Sequence, residues 1–151
     1  MALSSALCTS FKVELLEGDH DFNNGADAFK VALFKANASI TGTYGAATTN
    51  YSQMTGDSDE LPNGSGYTTG GFALTNVNPT SSSTTAYTDF SANVSWASAT
   101  FTTRGCLIYN TSDGNSAVAV IDFGADYSVS GGTFEIQWPA ADSTNAIIRI
   151  A

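Results

Sequence analysis

The chain has 151 residues, of which 42% are hydrophobic and 13% charged, and it carries a net charge of −9. This length suits one domain, and a chain of this size can bury about 70% of its unfolded surface without a disulfide framework or a metal. Only five residues are Lys or Arg, too few for a basic stripe that would displace counterions from phosphates. We therefore expect neither nucleic acid nor an anionic membrane as a partner.

Residues 1–18 are predicted to form an N-terminal amphipathic helix or arm. Leu7, Phe11 and Leu15 recur every four positions, Leu3 precedes them at the same spacing, and Gly18 suits the end of a helix. Ser4 or Ser5 would cap its start, and Val13 and Leu16 would widen its apolar stripe. An isolated helix of about 13 residues is marginal in water. Its apolar face is therefore expected to dock on the body of the protein or on a partner.

The first residues lack the basic start and the continuous apolar run of a secretory signal. We therefore expect assembly in a cytoplasm, with Cys8 and Cys106 as reduced thiols. Cys106 lies in an apolar run and is predicted to be buried. Two cysteines and one histidine do not supply the four ligands of a structural zinc site, and no metal or cofactor is predicted.

Residues 19–151 are predicted to form one β domain. Short apolar or alternating runs begin at Phe29 and recur as far as Ile150, with turn residues between them. Seven or eight such strands, with no later helical period, predict a mainly β fold. The fold class is a single antiparallel β-sandwich or jelly-roll-like domain with one N-terminal amphipathic helix. Gly105 predicts a bulge, and Gly70-Gly71 predicts a turn or a place of backbone crowding.

A long loop region, about residues 36–71, interrupts these strands. A connection of this length is usually functional or disordered, and we predict extended surface loops with a short strand near Tyr51. Asp57, Asp59 and Glu60 cluster here and offer oxygen ligands to a hard cation. However, Leu61 stands where an EF-hand loop needs its third ligand. The alternative is a solvated acidic loop.

Tyrosines are the other candidate binding residues of this loop region. A surface rich in Tyr, Gly, Ser and Asn resembles a paratope, so the tyrosines would stack on a sugar or contact a protein; alternatively they anchor the loops. Together with the helix, they complete the candidate partner contacts, which are Leu7, Phe11, Leu15, Tyr44, Tyr51 and Tyr67.

The residues mark no catalytic constellation. His20, the one histidine, lies between Asp19 and Asp21 and is interpreted as part of a polar turn. No Gly-x-Ser-x-Gly nucleophile motif occurs. A glycosidase carboxylate pair is not marked by context among the 14 acidic residues. No catalytic residue is predicted, and the protein is predicted not to be an enzyme.

Two rare cations lie beside apolar strands and are expected to form ion pairs. They are Arg104 and Arg149, and the candidate partners are Asp122 and Glu135. The pattern of residues does not choose between the two partners.

Several segments carry a distinctive sequence type. They are residues 1–18, FKVAL at 29–33, GYTTGG at 66–71, WASATFTTRG at 96–105, AVIDFG at 119–124, and residues 139–150. In these segments the chain resembles small structural proteins of tailed bacteriophages. The resemblance covers nearly the whole chain and is weakest over residues 36–62.

The resemblance implies a virion component without enzymatic activity. The role it favours is a capsid decoration or cement protein on the exterior of the head, in contact with the major capsid protein and self-associated as a homotrimer. A tail or neck component is one alternative. The other is a virion-surface module that binds a glycan through the loop tyrosines.

Overall fold

The computed structural model describes residues 2–151, which form a mainly β domain with antiparallel sheets, consistent with the predicted sandwich. The strands are β1 (Ala2–Leu3), β2 (Ala6–Leu7), β3 (Phe29–Leu33), β4 (Thr43–Tyr44), β5 (Phe72–Ala73), β6 (Thr75–Asn76), β7 (Thr80–Ser82), β8 (Thr85–Thr88), β9 (Phe90–Ser91), β10 (Val94–Asn110), β11 (Ser116–Ile136) and β12 (Ile148–Ile150). The helices are α1 (Thr9–Glu17) and α2 (Tyr51–Gly56), with a 3-10 turn at Asn37–Ser39.

The largest sheet has five strands in the order β2-β11-β10-β3-β5. A three-stranded sheet, β12-β8-β7, and the pairs β6-β9 and β1-β4 complete the domain. The β1-β4 pair is parallel, whereas the other pairings between named strands are antiparallel. The order therefore places the long hairpin of β10 and β11 in the middle of the main sheet.

The hairpin of β10 and β11 divides into two halves at Gly105. The turn residues Gly114 and Asn115 have positive φ values of 53° and 66° and reverse the chain. Beyond the turn, the register shifts by one residue between Tyr109 and Ile108 and then runs regularly to Gly105, which lies opposite Asp122. It then jumps, so that Thr103 lies opposite Tyr127. The predicted bulge at Gly105 is confirmed. It separates an inner half (105–110 and 116–122) from an outer half, which we call the outer ribbon (94–103 and 127–136).

An aromatic cluster joins α1 to two of the sheets. Phe22 stacks on Phe29 of β3 with ring centroids 4.4 Å apart, and Phe11 of α1 meets Phe22 edge-on at 6.0 Å. The ring centroid of Phe90 in β9 lies 6.0 Å from that of Phe29. All four side chains are buried, and each contributes about 1.5–3 kcal/mol by leaving water. The helix therefore docks through Phe11 on the body of the protein, one of the two expected places, and the expectation that Phe11 contacts a partner is wrong.

The predicted N-terminal helix is shorter than expected. Leu3 lies in β1, opposite Tyr44, and Leu7 lies in β2, opposite Ala119, so α1 begins only at Thr9. A spacing of four is also a multiple of two, so it keeps residues on one face of an extended chain as well as of a helix. The position before the helix is Cys8, and no side chain caps it.

The docked face of α1 is also narrower than the apolar stripe that the sequence predicted. Leu15 is half-buried, but Val13 and Leu16 are 51% and 88% exposed and do not widen the docked face. Gly18 ends the helix as predicted, with φ at +88° and its N–H donated to the Glu14 carbonyl.

A helix stands where a short strand was predicted near Tyr51. The Asn50 side chain accepts a hydrogen bond from the backbone N–H of Ser52, and Gln53 Oε1 accepts one from the N–H of Asn50. This reciprocal capping box stabilises a helix start, and Met54 anchors α2 in the core. The Asn-x-x-Gln spacing was the signal that could have predicted the helix.

Backbone crowding at Gly71 is confirmed. This residue has φ at +74°, and a Cβ there would collide with the carbonyl group of Val31 in β3. The absence of a side chain lets β5 approach β3, where Phe72 pairs with Val31. Both the φ value and the close approach therefore require glycine at this position.

We predict that Gly71→Ala destabilises the fold by about 3 kcal/mol, because it combines left-handed strain with a backbone collision. Gly56 is the matched control, since a Cβ at this last position of α2 meets nothing within 4 Å. Gly56→Ala should be neutral or slightly stabilising. Urea unfolding of both variants measures the difference, and equal midpoints would contradict the assignment.

Candidate functional site

Asp59 ties the long loop region together from inside. Its side chain has no solvent exposure. Its carboxylate accepts hydrogen bonds from the N–H of Thr41 at 2.9 Å, the N–H of Gly42 at 2.7 Å and the hydroxyl of Tyr44 at 2.8 Å. Hydrogen bonds to an ionised group are the strong ones. Asp59 therefore holds β4 and the segment before it against the end of α2.

Glu60 makes a second, adjoining anchor. Its Oε1 accepts hydrogen bonds from the hydroxyl of Tyr67 and the N–H of Gly70, both at 2.7 Å, and its Oε2 accepts one from the hydroxyl of Tyr51 at 2.5 Å. Tyr51 in turn stacks on Tyr109 of β10 with centroids 4.4 Å apart. Glu60 thereby fastens three places in the loop region to the main sheet.

The backbone brings both carboxylates inside. Lys35 donates its N–H to the Asp59 carbonyl at 2.9 Å, and Leu61 donates to the Leu33 carbonyl at 2.9 Å. Residues 59–61 thus run beside the end of β3, with an isolated bridge between Glu60 and Phe34. This alignment turns the two adjacent acidic side chains toward donors in the loop region.

The prediction of a solvated acidic loop is wrong for two of its three residues. Asp57 is exposed, but Asp59 and Glu60 are buried. Their oxygens face N–H and O–H donors, whose hydrogen atoms occupy the directions from which a cation would bind. The cluster of Asp57, Asp59 and Glu60 therefore does not suit a hard cation.

The hydrogen bonds determine the ionisation of Asp59. Burial by itself would raise the pKa of this carboxyl group, but the bonds from Gly42, Thr41 and Tyr44 outweigh it and hold the pKa below its usual range. The carboxylate is ionised at neutral pH, and the loop region is stabilised around a buried negative charge.

The tyrosines around these carboxylates respond in the opposite direction. Burial, followed by the hydrogen bonds to Asp59 and Asp57, raises the pKa of Tyr44. Burial together with Glu60 likewise raises the pKa values of Tyr51 and Tyr67. Each phenol must keep its proton in order to donate a hydrogen bond to a carboxylate.

The loop tyrosines are anchors rather than a binding surface. Tyr44 and Tyr67 are each only 2% exposed, so the expectation that they stack on a sugar or on a partner is wrong. Tyr51 is half-buried between Glu60 and Tyr109. The alternative interpretation of these residues as loop anchors is confirmed.

His20 lies in a buried network rather than in an open turn. Its Nε2 is 2.9 Å from Glu14 Oε2, and its Nδ1 is 2.9 Å from the Asn110 amide nitrogen. The amide oxygen of Asn110 accepts from the N–H groups of Ser112 and Asp113, which orients the NH₂ group toward the ring. His20 Nδ1 is therefore an acceptor, and Nε2 carries the proton that is donated to Glu14.

This polarity does not suit a metal ion, although ligand atoms of Glu14, His20 and Asp113 lie within 4.8 Å of one another. A histidine that binds a metal through Nε2 donates its other ring N–H to an acceptor. Here the group opposite Nδ1 is the donor NH₂ of Asn110. The network links the end of α1 to the hairpin turn and is structural.

Arg104 forms one of the expected ion pairs. Its Nε lies 2.7 Å from Asp122 Oδ1, across the bulge between the two halves of the hairpin. Arg149 pairs with neither predicted acid and instead donates to the carbonyl of Thr144. The choice of Asp122 over Glu135 follows from the register at the bulge.

The outer ribbon carries the exposed aromatic surface that the sequence analysis did not single out. The ring centroid of Phe134 lies 5.5 Å from that of Phe101 and 6.2 Å from that of Phe123. Tyr127 is 51% exposed. A groove of about 290 Å³ is lined by Phe123, Tyr127, Phe134, Glu135, Ile136 and Gln137. Alternation along β11 was visible in the sequence, but it did not reveal that this half lacks a covering layer.

Comparisons with protein-family models, with curated proteins and with solved structures gave no match. Among residues 2–151, no helix has the length and apolar character needed to cross a membrane. Function therefore has to be inferred from the residues and surfaces of this chain. The buried anchors stabilise the loop region, and the outer ribbon is the surface suited to contact.

We predict that Tyr67→Phe destabilises the protein by about 3 kcal/mol. The change removes the hydrogen bond to Glu60. It also leaves the buried N–H of Leu33 without its acceptor, the Tyr67 hydroxyl oxygen at 3.0 Å. Tyr87 is the control, because its hydroxyl makes no hydrogen bond to any residue that the structure describes (2–151). Chemical unfolding should show little change for Tyr87→Phe, and a similar small effect at Tyr67 would contradict the anchor.

Alkaline unfolding should follow ionisation of the anchor tyrosines. Burial also raises the pKa of Tyr109, to about 12, so all four anchor phenols ionise more readily in the unfolded chain. Their stabilisation is complete below pH of about 10, the value of a free tyrosine, and is lost as the pH rises above it.

The double variant Tyr87→Phe and Tyr127→Phe makes this measurable, because only four of the six tyrosines remain. Phenolate absorbance and loss of circular dichroism should then coincide along a pH titration. Ionisation of most phenols while the dichroism stays native would overturn the assignment.

Proposed function

We propose that the protein is a non-enzymatic structural component of a tailed-bacteriophage particle, and that it serves as a decoration or cement protein on the head exterior. The observation that carries this proposal is the outer ribbon, a long hairpin half with an exposed aromatic groove and almost no charge. Such a surface suits contact with protein, because interface cores are depleted in charge and enriched in aromatic residues. The sequence resemblance to phage structural proteins supports the same role.

The charge distribution supports contact with a protein partner. The outer ribbon has one charged residue, Glu135, among its 20 positions, although the whole chain carries 14 acidic residues. Exposed acidic side chains lie elsewhere, for example at Glu17, Asp19 and Asp21. With Glu135 as its one charged residue, the ribbon offers a face whose binding desolvates few charges.

Cementing would act through linkage. A protein that binds the assembled capsid, but not dissociated capsid subunits, shifts the equilibrium toward the assembled state. The major capsid protein is the proposed partner. The buried anchors of Asp59 and Glu60 keep the long loop region in one conformation, so little ordering would be needed on binding.

The glycan-binding alternative loses two of its proposed binding residues, because Tyr44 and Tyr67 are buried. The tail or neck alternative uses the same protein-contact chemistry. Copy number separates it from the head role, since a decoration protein is present in numbers comparable to the capsid protein.

The test is quantitative mass spectrometry of purified particles, followed by heating. We expect a copy number comparable to that of the major capsid protein, and we expect particles that lack this protein to release DNA at a lower temperature. Adding back the folded protein should restore heat resistance. A copy number far below that of the capsid protein, or unchanged heat resistance, would contradict the cement role.

A further inference from the structure

We infer that two copies of this chain associate through the free edge of β11 in the outer ribbon. The two copies would form a two-fold dimer with the continuous strand order β10-β11-β11-β10, in place of the homotrimer that the sequence resemblance favours. This inference concerns self-association in solution and does not depend on the proposed role in a particle.

The first observation is an open backbone edge. β2 pairs with β11 only at Ala119 and Val120, so beyond the bulge, residues 127–136 pair with β10 alone. Their outward-facing N–H and C=O groups have no strand partner among residues 2–151. An isolated two-stranded ribbon is marginal in water, and an open edge of this kind readily pairs with another strand.

The second observation is that the opposite edge of the ribbon is closed. On β10, Thr100 donates its N–H to the carbonyl of Ser65 at 2.9 Å. Gly66 lies so close that a Cβ there would come within 2.8 Å of the Ala99 Cα. Within the outer ribbon, β11 therefore has the open edge, and the same edge of a second copy is its matching partner. Pairing of identical edges closes at two copies, whereas a ring of three or a filament needs two different surfaces.

The third observation is the low charge of this edge. Each copy carries a net charge of −9, so two copies repel each other at most faces. Over residues 127–136 the only charged side chain is Glu135. The copies therefore meet with least repulsion at this edge.

The register follows from which side chains share a face. Val129 lies opposite Phe101, and Phe134 lies opposite Trp96, with the irregular step between Gly132 and Ser130. Apolar residues therefore occupy odd positions before this step and even positions after it. Antiparallel pairing centred between Gly131 and Gly132 keeps the apolar faces together.

In that register, Phe134 of one copy lies opposite Val129 of the other, and Ile136 lies opposite Tyr127. These are aromatic and aliphatic cross-strand pairs, which are favourable. Glu135 lies opposite Ser128. A shift by two residues in one direction would instead place Glu135 opposite Asp126, a like-charge pair that is unfavourable.

The size of the contact is adequate for a stable dimer. Ten residues extend over about 33 Å at about 3.3 Å per residue. Antiparallel pairing of two such strands forms about ten backbone hydrogen bonds. That number is typical of specific protein interfaces.

The test is light scattering coupled to size-exclusion chromatography, with sedimentation over a concentration series of the full chain. We expect a mass of twice 15.6 kDa. Ser128→Lys places a cation opposite Glu135 in two symmetric pairs and should tighten dimerisation about fivefold. Ser128→Asp should weaken it by a similar factor. Combining Ser128→Asp with Glu135→Lys should restore the affinity, because the opposite charges then exchange places.

Ser81 on β7 is the control, since it is also exposed and lies on the edge strand of another sheet. Ser81→Lys and Ser81→Asp should leave the dimerisation constant unchanged. Circular dichroism checks that every variant keeps its fold. A monomer at all concentrations, a trimer, or a dimer that responds equally to the Ser81 and Ser128 variants would overturn the inference.

Discussion

The buried hydrogen bonds of Asp59 and Glu60 are the constraint on which the rest of the structure depends. The loop region 36–71 has few large aliphatic side chains, so burial of apolar surface cannot hold it. Two adjacent carboxylates replace that burial by accepting hydrogen bonds from tyrosine hydroxyls and backbone N–H groups. Because the loop is held on β3 and β10, it closes one edge of the hairpin, and the outer edge of β11 is left as the open one.

The hairpin of β10 and β11 thus combines two different functions in one continuous element. Its inner half is flanked by β3 and β2 and supplies buried residues such as Leu107 and Val120 to the core. Its outer half has no strand beyond β11, so its apolar side chains remain partly exposed. The bulge at Gly105, with Arg104 paired to Asp122, separates the half that stabilises the fold from the half suited to association.

Local signals predicted a large part of the fold. The alternating runs indicated the antiparallel β class, and glycines marked the helix end at Gly18, the bulge at Gly105 and the crowded approach at Gly71. Each of these features depends on conformations of neighbouring residues. The predictions were wrong where one local pattern fits two structures, as with Leu3 and Leu7, and at Asn50, where a capping box begins a helix instead of the expected strand.

The candidate site could be predicted far less well. The sequence by itself determined an acidic, mainly β chain with an aromatic core and a short docked helix, because composition and periodicity are local properties. Only the tertiary structure decided that Asp59, Glu60 and His20 are buried and that Arg104 chooses Asp122. It also decided that β11 is left with a free edge. Hydrogen-bond partners and covering strands come from distant parts of the chain, so burial of a polar group depends on contacts that no local pattern encodes.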